Sequence, residues 1–173
     1  ADGYGHGAVE VARAALTAGA EGLCVAFAAE GIELRSAGID APILVLSEQP
    51  VDEADDIVRY RLMATVYTAD FIDALAMAAR ERAIEGVPIQ LKVDTGMQRV
   101  GVHPDGATEL IRRIESHGDL LRLVGIFTHL AVADEPDDQF TTTQLARFDA
   151  VIDAHWPAAP SSSSQRPVLV HAA

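Results

Sequence analysis

Residues 89–94, Ile-Gln-Leu-Lys-Val-Asp, alternate apolar and polar side chains. This alternation is typical of a β-strand, because successive side chains of a strand point to opposite faces of its sheet. Gln90, Lys92 and Asp94 would share one face, and the three apolar side chains would share the other. A buried lysine is costly unless its charge is paired or its amine is neutral or modified. The strand therefore predicts one face packed on helices and one polar interior face on which Lys92 needs a specific partner.

Similar short runs of branched residues recur along the chain, separated by stretches of helical period. We predict further strands at residues 23–27, 43–47, 63–67, 124–130 and 168–171, and helices at residues 8–18, 29–37, 52–60, 69–83, 106–116 and 139–154. Gly19 and Gly38 are predicted helix stops, Thr68 is a predicted helix N-cap, and residues 157–167 are a predicted irregular connection. A helix before each strand indicates a βα series with a parallel sheet.

A βα series of this kind forms either a doubly wound open sheet or a (β/α)8 barrel. The glycines at residues 3, 5 and 7 do not match the dinucleotide fingerprint G-x-G-x-x-G, which disfavours the open sheet. Six strands are too few to close a barrel. We therefore predict the α/β class and an incomplete (β/α)8 TIM barrel, with about six of its eight strands in one partial domain over residues 1–173.

The composition restricts the partners. Thirteen basic and 26 acidic residues give a net charge of −13, which argues against nucleic acid or an anionic membrane as the main partner. No apolar run approaches the roughly 20 residues that a membrane-spanning helix needs. The single cysteine, Cys24, cannot form an internal disulfide, which suits a reducing cytoplasm, and its apolar surroundings predict a small buried hydrophobe.

The predicted strand at 89–94 leads directly into the loop Thr-Gly-Met-Gln-Arg-Val-Gly at residues 95–101. Catalytic residues of barrels collect on loops that follow strand C-termini. Arg99 would then be a fixed cation at the mouth of the barrel, close to Lys92. The alternative is that Lys92 and Asp94 form an ion pair that only fills space.

Two histidines lie where strands are predicted to end. His129 lies at the C-terminal end of the run at 124–130, on the same face as Phe127, and His171 ends the last predicted strand. Both positions suit an active-site group, although a lone histidine is more often structural. The glycine-rich residues 3–7 precede a predicted helix start, which favours an anion such as phosphate.

Metal binding is not predicted, because no pair of His, Cys or acidic residues at a ligand spacing is supported by a second pair. The acidic pairs are instead predicted to be solvated turns; they are Asp55-Asp56, Asp134-Glu135 and Asp137-Asp138.

Four motifs, in matching order, resemble the alanine racemase family. They are residues 1–7 (ADGYGHG), residues 92–101 (KVDTGMQRVG), residues 127–131 (FTHLA) with Asp134-Glu135, and residues 170–173 (VHAA). The resemblance covers the whole chain and implies an internal fragment of the family's N-terminal barrel domain, without the C-terminal β-domain.

The resemblance implies pyridoxal 5′-phosphate as cofactor and assigns roles to six residues. Tyr4 would contact the cofactor phosphate, Arg99 the phenolic oxygen of its ring, and His129 the ring face. Lys92 is similar to a family lysine that is often carbamylated and holds the arginine in place. Leu46 would line the cofactor pocket, and His171 would lie behind the partner of the pyridine nitrogen.

The implied activity is interconversion of L- and D-alanine for peptidoglycan precursors by a cytoplasmic homodimer. The family's Schiff-base lysine would directly precede Ala1, so residues 1–173 alone are expected to be inactive. Two alternatives stay open. One is a serine-preferring or broader racemase, and the other is a non-catalytic barrel protein that binds pyridoxal phosphate.

Overall fold

The computed structural model describes residues 2–135, 137–156 and 169–172. Six parallel strands form one sheet in the order β1-β2-β3-β4-β5-β6, so each strand lies beside its neighbours in sequence. The strands are β1 (Leu23–Val25), β2 (Ile43–Val45), β3 (Met63–Val66), β4 (Val87–Lys92), β5 (Leu121–Thr128) and β6 (Leu169–Ala172). This topology is that of part of a (β/α)8 barrel, and it confirms the predicted fold class and number of strands.

Helices connect the strands. They are α1 (Asp2–Gly5), α2 (Ala8–Thr17), α3 (Ala28–Ser36), α4 (Ala54–Arg59), α5 (Ala69–Glu81), α6 (Ala107–Ser116) and α7 (Phe140–His155). Short 3-10 turns at Val51–Glu53, Pro104–Gly106 and Gly118–Leu120 were not predicted. The last of these turns leads straight into β5, which therefore begins three residues before its predicted start. The predicted connection at residues 157–167 lies outside the described residues.

The hydrophobic core lies between the sheet and the helices. The strand side chains that face it are fully buried; they include Ile43, Val45, Ala64, Val66, Ile89, Leu91 and Ile126. From the helices, Ile57, Phe71, Leu75 and Ile114 pack against them. Because these strand residues alternate with the inward residues, the opposite face of the sheet is left for the polar interior.

The predicted helix signals are confirmed where they fall on described residues. Thr68 is the N-cap of α5 and accepts a hydrogen bond from the Phe71 N–H at 3.4 Å. Gly19 and Gly38 follow α2 and α3 with φ of +101° and +80°, the left-handed region that favours glycine at helix C-termini.

Two sequence predictions are wrong. Asp55 and Asp56 lie in α4 and not in a turn, and the Asp55 carboxylate forms an ion pair with Arg82. Cys24 is exposed and not buried. Cys24 lies in β1 between Leu23 and Val25 and points to the concave face, and among the described residues β1 is paired with β2 alone. The other acidic pairs, at residues 134–135 and 137–138, lie in exposed turns as predicted.

A charged contact joins α5 to α6. Arg113 Nε and His117 Nε2 lie 2.7 Å and 2.9 Å from the same carboxylate oxygen of Asp73. The hydrogen bond from Arg113 and then that from His117 hold the pKa of Asp73 below its ordinary value. A carboxyl group with a lowered folded-state pKa stabilises the fold above its unfolded pKa, and this contribution is lost as the pH falls through the folded pKa.

We expect Asp73→Asn to lower the free energy of unfolding near neutral pH by about 0.5–1 kcal/mol, since both partners are partly exposed and water screens the pair. The difference from the unmodified protein should shrink below about pH 4, where the unfolded carboxyl group protonates. Urea denaturation of the full-length gene product at several pH values measures both effects. Asp153→Asn, at an exposed position on α7, is the control and should change stability by less than about 0.5 kcal/mol. An equal loss at pH 3 and pH 7 would contradict the assignment.

Candidate active site on the inner face of the sheet

Three side chains form a row across β4, β5 and β6 on the inner face. The strand register places Lys92 beside Phe127 and Phe127 beside His171. The Phe127 and His171 rings stack with centroids 4.8 Å apart and planes 5° apart, and Lys92 Nζ lies 5.2 Å from the Phe127 centroid. The alternation predicted for residues 89–94 therefore brings Lys92 to the interior, next to an aromatic wall.

Lys92 is 5% exposed, and its amine donates a hydrogen bond to the Leu46 carbonyl oxygen at 3.3 Å. Burial, and after it the positive charge of Arg99, lowers the pKa of Lys92, while the negative charge of Asp94 opposes this shift. Arg99 thus lies close enough to Lys92 for the two cations to repel each other. Burial at this position therefore favours a neutral or modified amine more than bulk water does.

The alternative interpretation, an ion pair between Lys92 and Asp94, is not observed among the described residues. The Asp94 carboxylate instead accepts hydrogen bonds from the backbone N–H groups of Gly96 and Gln98, at 2.9 Å and 3.0 Å. These bonds close a tight turn at the start of the loop that carries Arg99. The Asp94 carboxylate therefore shapes the loop, and it acts on Lys92 only through its charge and not through a direct ion pair.

Backbone hydrogen bonds pin both ends of this loop. Asp94 N–H donates to the Val102 carbonyl at 2.8 Å, and Val102 N–H donates to the Lys92 carbonyl at 2.9 Å. Arg99 is exposed between these ends. The loop after β4 thus carries Arg99 on a base that backbone hydrogen bonds hold in place.

A buried polar network that the sequence analysis missed ties this loop to the end of β5. Thr95 and Thr128 hydroxyls lie 2.8 Å apart, and Gln144 of α7 donates to Thr95 Oγ1 at 3.2 Å and to the His129 carbonyl at 3.0 Å. Gln144 is fully buried. The sequence signal for this network is Gln144, a polar residue on the apolar face of the helix predicted at 139–154. The network positions the backbone of His129, which is half-buried directly after β5.

The N-terminal segment brings Tyr4 toward Leu46. Gly3 and Tyr4 of α1 both have left-handed backbone angles, with φ of +56° and +61°, and the Tyr4 side chain is 97% exposed. Tyr4 and the 38%-exposed Leu46 line one cavity of about 250 Å³. Asp2 Oδ1 accepts from the Ala8 N–H at 2.9 Å, so the start of α2 already holds an anion of the chain itself. The free helix end expected for a phosphate is thus not present in this structure.

Two further findings concern metals and membranes. Among the described residues, no three His, Cys, Asp or Glu side chains lie close enough together to hold a metal ion. No helix in the described ranges combines the length and apolar character needed to cross a bilayer.

Comparisons with known proteins agree with this arrangement. The family model "Alanine racemase, N-terminal domain" matches residues 1–172. Alanine racemase of Symbiobacterium thermophilum is 40% identical over 173 residues, covering 100% of this chain and 44% of the relative. Alanine racemase of Thermobifida fusca is 46% identical over 155 residues, covering 86% of this chain and 40% of the relative.

A solved structure, alanine racemase of Clostridium difficile 630, superposes with a TM-score of 0.87 at 32% identity and covers 99% of this chain and 46% of that one. The chain therefore spans less than half the length of these relatives. The identity, coverage and shared half-barrel show that the chain belongs to the alanine racemase family, in which it corresponds to part of the N-terminal domain.

Proposed function

We propose that the protein containing this chain is an alanine racemase that uses pyridoxal 5′-phosphate to interconvert L- and D-alanine for peptidoglycan precursors. Residues 1–173 would form most of its N-terminal barrel, and the C-terminal β-domain would lie outside them. Besides family membership, one observation supports this proposal. Lys92 contacts the Leu46 carbonyl and the Phe127 ring, and it lies within the electrostatic influence of Arg99. Lys92, Leu46 and Arg99, to which the resemblance gives roles, are thus neighbours in space. Phe127, which belongs to one of the four motifs, lies beside them.

The side chains at the mouth of the half-barrel fit the cofactor. Pyridoxal phosphate presents a phosphate, a phenolic oxygen and two ring faces. The exposed Tyr4 side chain offers a hydroxyl to the phosphate. Arg99 offers a cation to the phenolic oxygen, and His129 offers a flat ring to one face of the cofactor. Leu46 adds apolar surface in the cavity that it shares with Tyr4. When bound, the cofactor supplies an electron-withdrawing ring that acidifies the Cα proton of an amino acid.

The residues of this chain would bind and orient. Arg99 would hold the phenolic oxygen by a charge-assisted hydrogen bond. Lys92 would set the position of Arg99, and Phe127 and His171 would form the interior wall beneath them. His171 would lie behind the group that pairs with the pyridine nitrogen.

Carbamylation of Lys92 stays part of this proposal. A neutral amine attacks carbon dioxide, forms an N–C bond and releases one proton, which leaves a carbamate anion. The lowered pKa of Lys92 favours the neutral amine that this step needs. The product would replace a repulsion between two cations by an attraction between a carbamate and Arg99.

Lys92 is the only lysine of the chain. Because its amine points to the Leu46 carbonyl and is buried, we propose that it is not the lysine that holds the cofactor. That lysine would directly precede Ala1, and residues 1–173 alone would be inactive. The complete protein would be a cytoplasmic homodimer.

The test uses the full-length gene product. We expect it to convert L-alanine into D-alanine with uptake of deuterium at Cα from deuterated water, followed by circular dichroism and proton NMR. Borohydride reduction of the loaded protein should attach the cofactor to the peptide that precedes Ala1. The variant Lys92→Met is the control and should be labelled at the same place.

Other outcomes would overturn parts of the proposal. Faster racemisation of serine than of alanine would favour a serine-preferring or broader enzyme. Cofactor binding without racemisation of any amino acid would favour the non-catalytic barrel protein. Labelling of Lys92 itself would overturn the assignment of the cofactor lysine.

A further inference from the structure

Gln90 is a buried polar residue on the inner face of β4, 3% exposed. Its amide nitrogen lies 3.0 Å from Met63 Sδ, and its amide oxygen lies 2.8 Å from His171 Nε2. Gly125 of β5 leaves room for it, because a Cβ at that position would lie 2.6 Å from Gln90 Cδ. The Gln90 amide thus contacts one side chain of β3 and one of β6, and it fits into the space that a glycine leaves on β5.

Met63 decides which way the amide points. A thioether sulfur has lone pairs and no proton, so it only accepts hydrogen bonds. With the amide nitrogen toward Met63, both ends of the group are satisfied. With the amide turned over, the Gln90 oxygen would face the sulfur lone pairs with no proton between them. The orientation with Oε1 toward His171 is therefore the stable one.

This orientation determines the proton position on His171. An amide oxygen only accepts, so His171 Nε2 must carry the proton that joins the pair. The Phe127 ring stacks on the imidazole, and burial lowers the pKa of His171, which favours the neutral form of the ring. In a neutral imidazole with a proton on Nε2, Nδ1 carries a lone pair and accepts. Among the described residues, Nδ1 makes no hydrogen bond.

We propose that Gln90 is a positioning residue that holds His171 as its Nε2–H tautomer and so presents Nδ1 as an acceptor to a nitrogen donor outside the described residues. The order of contacts is Met63 sulfur, Gln90 amide, His171 Nε2–H and finally the exposed lone pair of Nδ1. Only the role of that acceptor rests on the proposed function, where the donor would be the group that pairs with the cofactor's pyridine nitrogen. The tautomer itself rests on the contacts of Gln90.

The experiment measures the tautomer directly, without turnover. The full-length gene product, free of cofactor, is labelled with 15N-histidine, and long-range proton–nitrogen NMR distinguishes a protonated from an unprotonated ring nitrogen. The signals of His171 are identified by their loss in His171→Asn. We expect Nε2 to be protonated and Nδ1 to be unprotonated.

Two variants remove the constraint in different ways. Gln90→Met removes the acceptor and should lower the ratio of the Nε2–H to the Nδ1–H tautomer about fivefold or more, the effect of losing one ordinary hydrogen bond. Met63→Leu keeps the volume, removes the sulfur and should lower the same ratio in the same direction by letting the amide turn over. Gln90→Glu keeps an oxygen acceptor, so a proton should remain on Nε2.

A predominant Nδ1–H tautomer in the unmodified protein would overturn the proposal, as would an unchanged ratio in Gln90→Met. If Gln90→Met fails to fold, an unchanged ratio in Met63→Leu has the same consequence. Failure of the racemase proposal is a separate result, because the tautomer is measured on the cofactor-free protein. If the protein shows the expected tautomer but racemises no amino acid, the proposed function is wrong and the role of Gln90 still holds.

Discussion

Replacement of Phe127 by alanine is expected to lower the free energy of unfolding of the full-length gene product by about 3–5 kcal/mol. Phe127 is 4% exposed, stacks on His171 and lies under the Lys92 amine. Truncation removes the ring and leaves a cavity between two polar side chains. Urea denaturation followed by circular dichroism measures the loss.

The same variant should also change the titration of His171. Burial lowers the pKa of His171, and the Phe127 ring covers one of its faces. Water that enters the cavity would stabilise the imidazolium form, so the pKa of His171 should rise toward its ordinary value. NMR titration of the labelled histidine follows this shift.

Phe148→Ala is the matched control for this prediction. Phe148 of α7 is 3% exposed, but it lies in the core between the sheet and the helices. We expect a similar loss of stability and no change in the pKa of His171. If both variants move the His171 titration equally, then Phe127 has no specific role in covering the imidazole.

The second large effect is expected from Gly101→Ala. Gly101 has φ of +130°, and a Cβ there would lie 2.7 Å from Asp94 N and 3.1 Å from the Val93 carbonyl carbon. Both neighbours are backbone atoms, and the backbone bonds between Asp94 and Val102 hold them in place. The combined strain and overpacking should lower the free energy of unfolding by about 2–4 kcal/mol.

This substitution should also move Arg99, because Gly101 forms the base of the loop that carries it. In the proposed racemase, we expect weaker cofactor binding, measured by equilibrium dialysis. Gly118→Ala is the control, since Gly118 has φ of +58° but a Cβ added there would have open space within 4 Å. It should cost only the conformational strain of about 1–2 kcal/mol and leave cofactor binding unchanged. Equal effects of both variants would show that the contact with Asp94 is unimportant.

Several features of the fold and site were predictable because they depend on local periodicity. The alternation at residues 89–94 placed Lys92 on the inner face, where it is 5% exposed. Arg99 and His129 were predicted to follow strand ends, and they lie after β4 and directly after β5, respectively. The end of a parallel strand is a property of a short run of sequence, and all such ends lie at one edge of the sheet.

The partners of these residues were not predictable in the same way. The partner that periodicity suggested for Lys92, as an alternative, was Asp94, two residues away, but Lys92 contacts Leu46, which is 46 residues away. Gln90 and His171 are separated by 81 residues, and Gln144 reaches Thr95 across 49. Periodicity assigns a side chain to a face but does not say which residue of the next strand lies beside it.

The sequence by itself determined the βα series, the parallel direction of the strands and the position of Lys92 on the inner face of the sheet. It also determined membership of the alanine racemase family. Only the tertiary structure decided that Asp2 caps α2, that Cys24 is exposed, and that Gln90 joins Met63 to His171. The Asp2 and Cys24 features depend on which segments of the chain lie side by side. For Gln90 the physical reason is strand register, which includes a shift between Ile89 and Gln90 where β4 meets β5. A shift of one residue changes every lateral neighbour on the inner face, and it results from packing of the whole sheet against its helices.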